Sequence, residues 1–360
     1  MSAASLFAAF SAVAQQPASP PKWFEEIAVN GFVSASYSYN FNKPETGTNQ
    51  LRVFDFDDNS FKLDVATLTI QKAASKAGEA GFRVDLSAGG SLPRIEAAYG
   101  LFQGEDFDVK QAFVTYIAPA GNGLRIDAGK FLTHLGFEYI ESWDTPNDNA
   151  TRSFLFGYTV PFTHTGIKAS YSFSDQFAAM LMLANGWDNV KDNNSSKSIG
   201  AQLTWMPSKT VTVAGNFITG PERTNVNSDP RSVFEAVVIW KLTDSTALGF
   251  EGLYGSEKGA VTAGETATWS GLAGYARLGV TEGFALCLRG EYLDDSDGAR
   301  TGTAQKLTEV TLTPEFKITP HLVFRADLRA DFSDQPVFIK SDGSTKKDQV
   351  TVLGNVFYSF

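Results

Sequence analysis

A chain of 360 residues with a net charge of −10 is poorly suited to nucleic acid, because phosphate binding relies on basic surface. Its hydrophobic content of 43% includes no apolar run of the roughly eighteen residues that a spanning helix needs, so any membrane crossing falls to a closed barrel. A single cysteine, Cys287, excludes an internal disulfide and a multi-cysteine metal site, and no linker-like stretch divides the chain.

Residues 1–14 are apolar and end in Ala12-Val13-Ala14 before Gln15, which reads as a secretory signal peptide whose basic front is missing. Residues 15–26 read as a short periplasmic lead, with Pro17, Pro20 and Pro21 opposing regular structure. From Ile27 to the end, residues 27–360, the dominant pattern is alternation with period two, as in strands with one apolar and one polar face. Val29, Val33, Tyr37 and Tyr39 share one face against Ser34, Ser36, Ser38 and Asn40. Near the end, Phe324, Leu328 and Phe332 oppose Arg325, Asp327, Arg329 and Asp331.

Strands are expected at 27–42, 61–72, 79–90, 107–118, 122–131, 162–174, 176–187, 197–206, 209–219, 232–242, 245–256, 268–280, 284–293, 305–318, 321–332 and 348–360. Short turn clusters such as Ser174-Asp175, Pro207-Ser208 and Thr319-Pro320 alternate with long connections around 43–60, 91–106, 132–161, 188–196, 220–231, 257–267, 294–304 and 333–347. An even strand number with short periplasmic turns and long extracellular loops is the plan of an all-β transmembrane barrel of about sixteen antiparallel strands. Trp205, Phe217, Trp240, Tyr254 and Tyr292 sit at expected strand ends, where an interfacial girdle would lie. The last strand is apolar at nearly every second position back from Phe360, so Phe360 and Tyr358 are the candidate signal for the barrel-assembly machinery.

One block is not explained by alternation: Gly129-Lys130-Phe131, Leu135-Gly136-Phe137-Glu138, Arg152-Ser153, Gly157, and Pro161-Phe162-Thr163-His164-Thr165-Gly166. With Asn185-Gly186-Trp187-Asp188 and the closing aromatic strand, it resembles the OmpL-like family of outer-membrane β-barrel porins. The resemblance implies a passive diffusion channel in the outer membrane of a Gram-negative bacterium, and it carries no substrate.

No catalytic residue, metal or cofactor is expected. His134 and His164 bracket the longest connection, with Ser142, Asp144, Asp148 and Ser153 between them, but no G-x-S-x-G elbow accompanies them and the histidine spacing does not suit zinc. The pore-lining candidates are Arg277, Arg289, Glu291, Glu309, Glu315, Arg325, Asp327, Arg329 and Asp331, which either set a transverse field across the pore or pair with one another along the wall. Residues 132–161 are expected to fold into the barrel as a constriction, because Phe137, Tyr139, Trp143, Phe154, Phe156 and Tyr158 would be costly to expose. Glu138, Glu141, Asp144, Asp148 and Arg152 are its charged candidates, and the acidic long connections favour a mild cation preference.

The expected function is an outer-membrane porin passing small hydrophilic solutes and ions, with outer-membrane lipid and the assembly machinery as partners and a homo-oligomer as its state. The alternative is a barrel acting as scaffold or sheath for a periplasmic or extracellular partner, such as an electron-transfer conduit or an adhesin.

Overall fold

The computed structural model describes residues 26–92, 100–102 and 105–360. The expected signal segment, nearly all of the lead and part of the 91–106 connection lie outside the described residues. The first half of the barrel is β1 (Ala28–Asn40), β2 (Ser60–Lys72), β3 (Ala80–Ala88), β4 (Phe107–Ala118), β5 (Leu124–Leu132), β6 (Thr163–Ser172), β7 (Phe177–Ala184) and β8 (Ser198–Ser208). The second half is β9 (Val211–Pro221), β10 (Pro230–Lys241), β11 (Ala247–Lys258), β12 (Thr266–Thr281), β13 (Phe284–Asp295), β14 (Gln305–Lys317), β15 (Leu322–Ser333) and β18 (Asp348–Ser359). A two-stranded ribbon, β16 (Phe338–Ile339) and β17 (Thr345–Lys346), stands in the connection before the last strand.

Each barrel strand pairs antiparallel with its neighbour, and β1 pairs with β18 from Phe32↔Ser359 to Asn40↔Thr351, which closes the barrel at sixteen strands. At the foot of that seam Gly31 and Phe360 exchange backbone hydrogen bonds of 3.0 Å, so the sheet has no free edge there. Phe324, Leu328 and Phe332 of β15 point outward and are exposed, whereas Arg325, Asp327, Arg329 and Asp331 point inward and are buried. Trp205, Trp240, Tyr254 and Tyr292 are outward and exposed, and Phe217 lies 4.4 Å from the ring of Phe234.

Short connections at 119–123, 173–176, 209–210, 282–283 and 318–321 leave one end of the barrel, and the long ones leave the other. Two interruptions of the alternation matter for the interior. The register shifts at Ser34/Ala35, so Asp64 falls between the paired residues Leu63 and Val65, and at Asp85/Leu86, so Lys110 falls between Val109 and Gln111. A bulge of this kind adds one unpaired residue and re-aims its side chain.

Candidate functional site

Between β5 and β6 the chain does not stand clear of the barrel. It enters the lumen, and within 133–162 only Pro146 is exposed. Burial of aromatic and aliphatic side chains drives this, at about 1.5–3 kcal/mol for each fully buried side chain. Phe154, Leu155 and Phe156, which lead into a π-helical turn at Leu155–Thr159, pack in one cluster with Val233, Trp269, Leu293 and Leu307 of the wall. The wall is shaped for this. A Cβ on Gly271 would lie 2.2 Å from Leu155, and one on Gly249 would lie 2.3 Å from the Phe137 ring, so both positions are sockets that glycine leaves open. Phe137 also stacks on Tyr275 with centroids 3.9 Å apart.

An irregular segment inside a barrel must find partners for its backbone, and the charged wall supplies them. Glu291 accepts hydrogen bonds from the N–H groups of Phe154 and Leu155 at 2.6 and 3.0 Å, and Asp327 accepts from those of Ala150 and Thr151 at 3.1 and 2.7 Å. Arg325 donates to the Asn147 carbonyl at 2.5 Å, and Arg329 to that of Arg152. The carboxylates of the segment are paired in turn: Glu138 with Arg289 at 2.6 Å, Glu141 with Arg325 at 2.8 Å, Asp148 with Arg277 at 2.8 Å, and Asp144 with Arg83 at 2.6 Å. Arg152 lies 3.0 Å from Glu141.

All nine wall candidates therefore face the interior, and six of them (Arg277, Arg289, Glu291, Arg325, Asp327 and Arg329) hold the infolded segment. Glu309 pairs with Arg289, Glu315 with Arg277, and Asp331 with Arg329 and with Arg52 from the first long connection. Arg289, Arg325, Arg329, Glu309 and Asp331 are 0–1% exposed, so they meet protein rather than open water.

Removing one partner of such a network leaves a buried charge uncompensated. Arg289→Met is expected to destabilise the folded barrel by about 3–5 kcal/mol, the usual cost of breaking a buried pair. The check is the temperature at which the protein loses its compact mobility on gels, and a variant that melts with the native protein would count against the anchoring role.

The Ser/His/Asp residues do not assemble into a catalytic group. His134 contacts the Phe217 carbonyl at 3.0 Å, and His164 lies between the Gly186 carbonyl and the Thr133 hydroxyl, each at 3.1 Å. Asp144 and Asp148 go to arginines, and the Ser153 hydroxyl accepts from the Phe156 N–H at 3.0 Å. Asp148, Cys287 and Glu315 converge closely enough to hold a metal ion, but the Arg277 guanidinium already contacts all three, at 2.8, 3.5 and 2.5 Å, and supplies the positive charge.

Where the segment returns to β6, Asp188 of the next long connection accepts from the N–H groups of Phe162 and Thr163 at 2.6 and 2.9 Å. Burial pushes its carboxyl up to about 7, opposed by those two N–H groups and by the Arg231 and Arg300 guanidiniums. The folded value lies above the unfolded value of about 4, so the folded chain holds an extra proton between them. The associated stability is full below about pH 4 and is lost as pH rises through about 7. Digestion of the 185–197 connection is expected to be faster at pH 8 than at pH 5 in the native protein, and Asp188→Asn should remove the difference. An unchanged difference in the variant would discard the assignment.

Several inward charges were not among the pore-lining candidates: Asp64, Lys110, Glu235 and Glu251. Glu235 accepts from the Gly136 N–H at 2.8 Å and so also fixes the infolded segment. Its place opposite outward Phe234 was available from the alternation of β10, as were those of Asp64 beside outward Leu63 and of Lys110 in phase with Asp108, whereas the two register shifts carried no such signal.

Solved structures similar to this chain include OmpF of Salmonella typhi in complex with daunomycin, with a TM-score of 0.64 at 12% identity over 93% of this chain and 97% of that one. An anion-selective porin from Comamonas acidovorans gives a TM-score of 0.63 at 12% identity, covering 93% and 99% of the two chains. OmpT of Vibrio cholerae in a trimer form gives 0.59 at 11% identity, covering 93% and 99%. These likenesses concern the fold. No curated protein matches the sequence. The family model described as "Putative beta-barrel porin-2, OmpL-like" matches residues 26–360, and the chain accordingly belongs to that family of outer-membrane porins.

Proposed function

We propose that the protein is a narrow diffusion porin of the outer membrane, in which the infolded 133–162 segment sets the limiting cross-section. The observation that carries this reading is the ion-paired attachment of that segment to β12, β13 and β15 inside a closed barrel. A fixed segment of this kind reduces the bore without abolishing the polar interior that hydrated solutes need. The short-turn end, where β1 begins and β18 ends, faces the periplasm in this reading, and the long connections face outward.

Because Glu138, Glu141, Asp144 and Asp148 are each matched by an arginine, they contribute attachment rather than a cation-attracting mouth. A sheath around a partner polypeptide would need the lumen for that partner, and here the chain's own segment occupies it. A homo-oligomer of side-by-side barrels suits the reading, since OmpT occurs in a trimer form. Swelling of liposomes carrying the refolded protein tests it: glycerol is expected to enter quickly and a disaccharide slowly. Equal rates for the two solutes would contradict a narrow bore.

A further inference from the structure

The infolded segment is ion-paired to β12, β13 and β15, with a cavity of about 40 Å³ between it and Ile239 of β10 and Tyr275 of β12, and it leaves more space on its other flank. A cavity of about 50 Å³, room for a few water molecules, lies between the segment and the wall made by β1–β4 and β18. Its polar lining includes Ser34, Ser36, Ser87, Asp64 and Lys110.

Two independent features converge there. Asp64 and Lys110 are the unpaired residues at the two register shifts in β2 and β4, and both shifts add an inward charge to the same cavity. Bulges recur where a side chain must be re-aimed for function, and here each shift seats two consecutive residues, Asp64 with Val65 and Lys110 with Gln111, on the inner side. The Asp64 carboxylate accepts hydrogen bonds from Ser36 at 2.7 Å and from Ser34 and Asn355 at 3.3 Å, and Lys62 lies 3.8 Å away. Lys110, 2% exposed, makes its one hydrogen bond among the described residues to the Glu141 carbonyl at 2.9 Å, and no carboxylate of the described residues is within ion-pair distance of it. The ammonium therefore marks the edge of the infolded segment.

We propose that solutes pass the level of the infolded segment through this chamber, with Asp64 and Lys110 as the specificity-determining pair for small zwitterions such as an α-amino acid. The inference rests on the porin reading above. A fixed carboxylate and a fixed ammonium beside one narrow passage create a field across it, which a solute carrying both charges can align with and a neutral solute cannot. The serine hydroxyls replace part of the solute's hydration at the same level.

The route is tested by single-channel recording in a Cys287→Ser background with Ser36→Cys, Ser87→Cys or Thr311→Cys, adding a small thiol-reactive quaternary ammonium reagent. Thr311 lies beside Arg289 under the infolded segment. Modification at either serine position is expected to reduce conductance about twofold or more, by obstructing the passage, and modification at Thr311→Cys should not. Two serine positions guard against one variant failing to fold. The pair is tested by liposome swelling: the ratio of glycine to glycerol entry should fall about threefold in Asp64→Asn and in Lys110→Met, as the transverse field is lost. Block at Thr311→Cys, or no block at the folded serine variants, overturns the route, and an unchanged glycine ratio overturns the pair. A folded native protein that passes neither ions nor glycerol removes the porin reading itself.

Discussion

Deleting residues 138–150 is expected to raise single-channel conductance about threefold or more, since conductance follows the narrowest section of a pore, while the barrel remains folded. The deletion removes the segment's carboxylate partners of Arg277, Arg289 and Arg325 together. The reason it should be tolerated is that Arg277 keeps Glu315, Arg289 keeps Glu309 and the Thr151 carbonyl, and Arg325 faces the water that fills the vacated space, so no charge is left buried and unpaired. The sixteen-strand ladder, which holds the barrel, makes no use of the deleted residues. Single substitutions such as Arg289→Met act in the opposite way, because the segment stays and the unpaired Glu138 stays buried under it. Conductance and solute size limit both unchanged in the folded deletion variant would refute the constriction.

Phe360→Asp is expected to deplete folded protein in the membrane severalfold while synthesis and export continue. The terminal residue holds the seam through its backbone pair with Gly31, and its ring covers that glycine so closely that a Cβ there would lie 2.5 Å from it. Magnitude separates two causes. A charge near the membrane interface costs only about 0–1 kcal/mol, too little to empty the membrane of folded barrel. A severalfold loss with Phe360→Asp, against near-normal levels with Phe360→Tyr, therefore reports recognition of the terminal aromatic during assembly. Equal folded amounts of Phe360→Asp and native protein, measured by heat-modifiable mobility, would show that Phe360 carries no such signal.

Much of the fold was legible because a barrel wall writes its two solvents into alternate positions. Leu286 and Leu288 against Arg289 and Glu291 fix the facing of β13 without any long-range information. The infolded segment was legible from its aromatics, since Phe154 and Phe156 have no inexpensive place in water. What the sequence did not disclose is partner choice across the lumen. Arg289 meets Glu138 at a separation of 151 residues, and Arg52 meets Asp331 at 279, and neither pairing leaves a local pattern. For the same reason the wall arginines read equally well as a bare pore lining or as a paired wall. Phe32 shows the limit of alternation: it is an inward, fully buried aromatic because Phe357 lies beside it, at 5.4 Å, across the closing seam. The bulges at Asp64 and Lys110 are likewise products of strand pairing, visible only once the register is known.

Recording refolded protein in a planar bilayer under a potassium chloride gradient decides whether a closed barrel narrowed by its own 133–162 segment still conducts. Stepwise channel insertions of small unit conductance are expected, which become larger steps when residues 138–150 are removed. Folded barrels that insert into the bilayer and carry no current, in both the native and the deleted form, would contradict conduction.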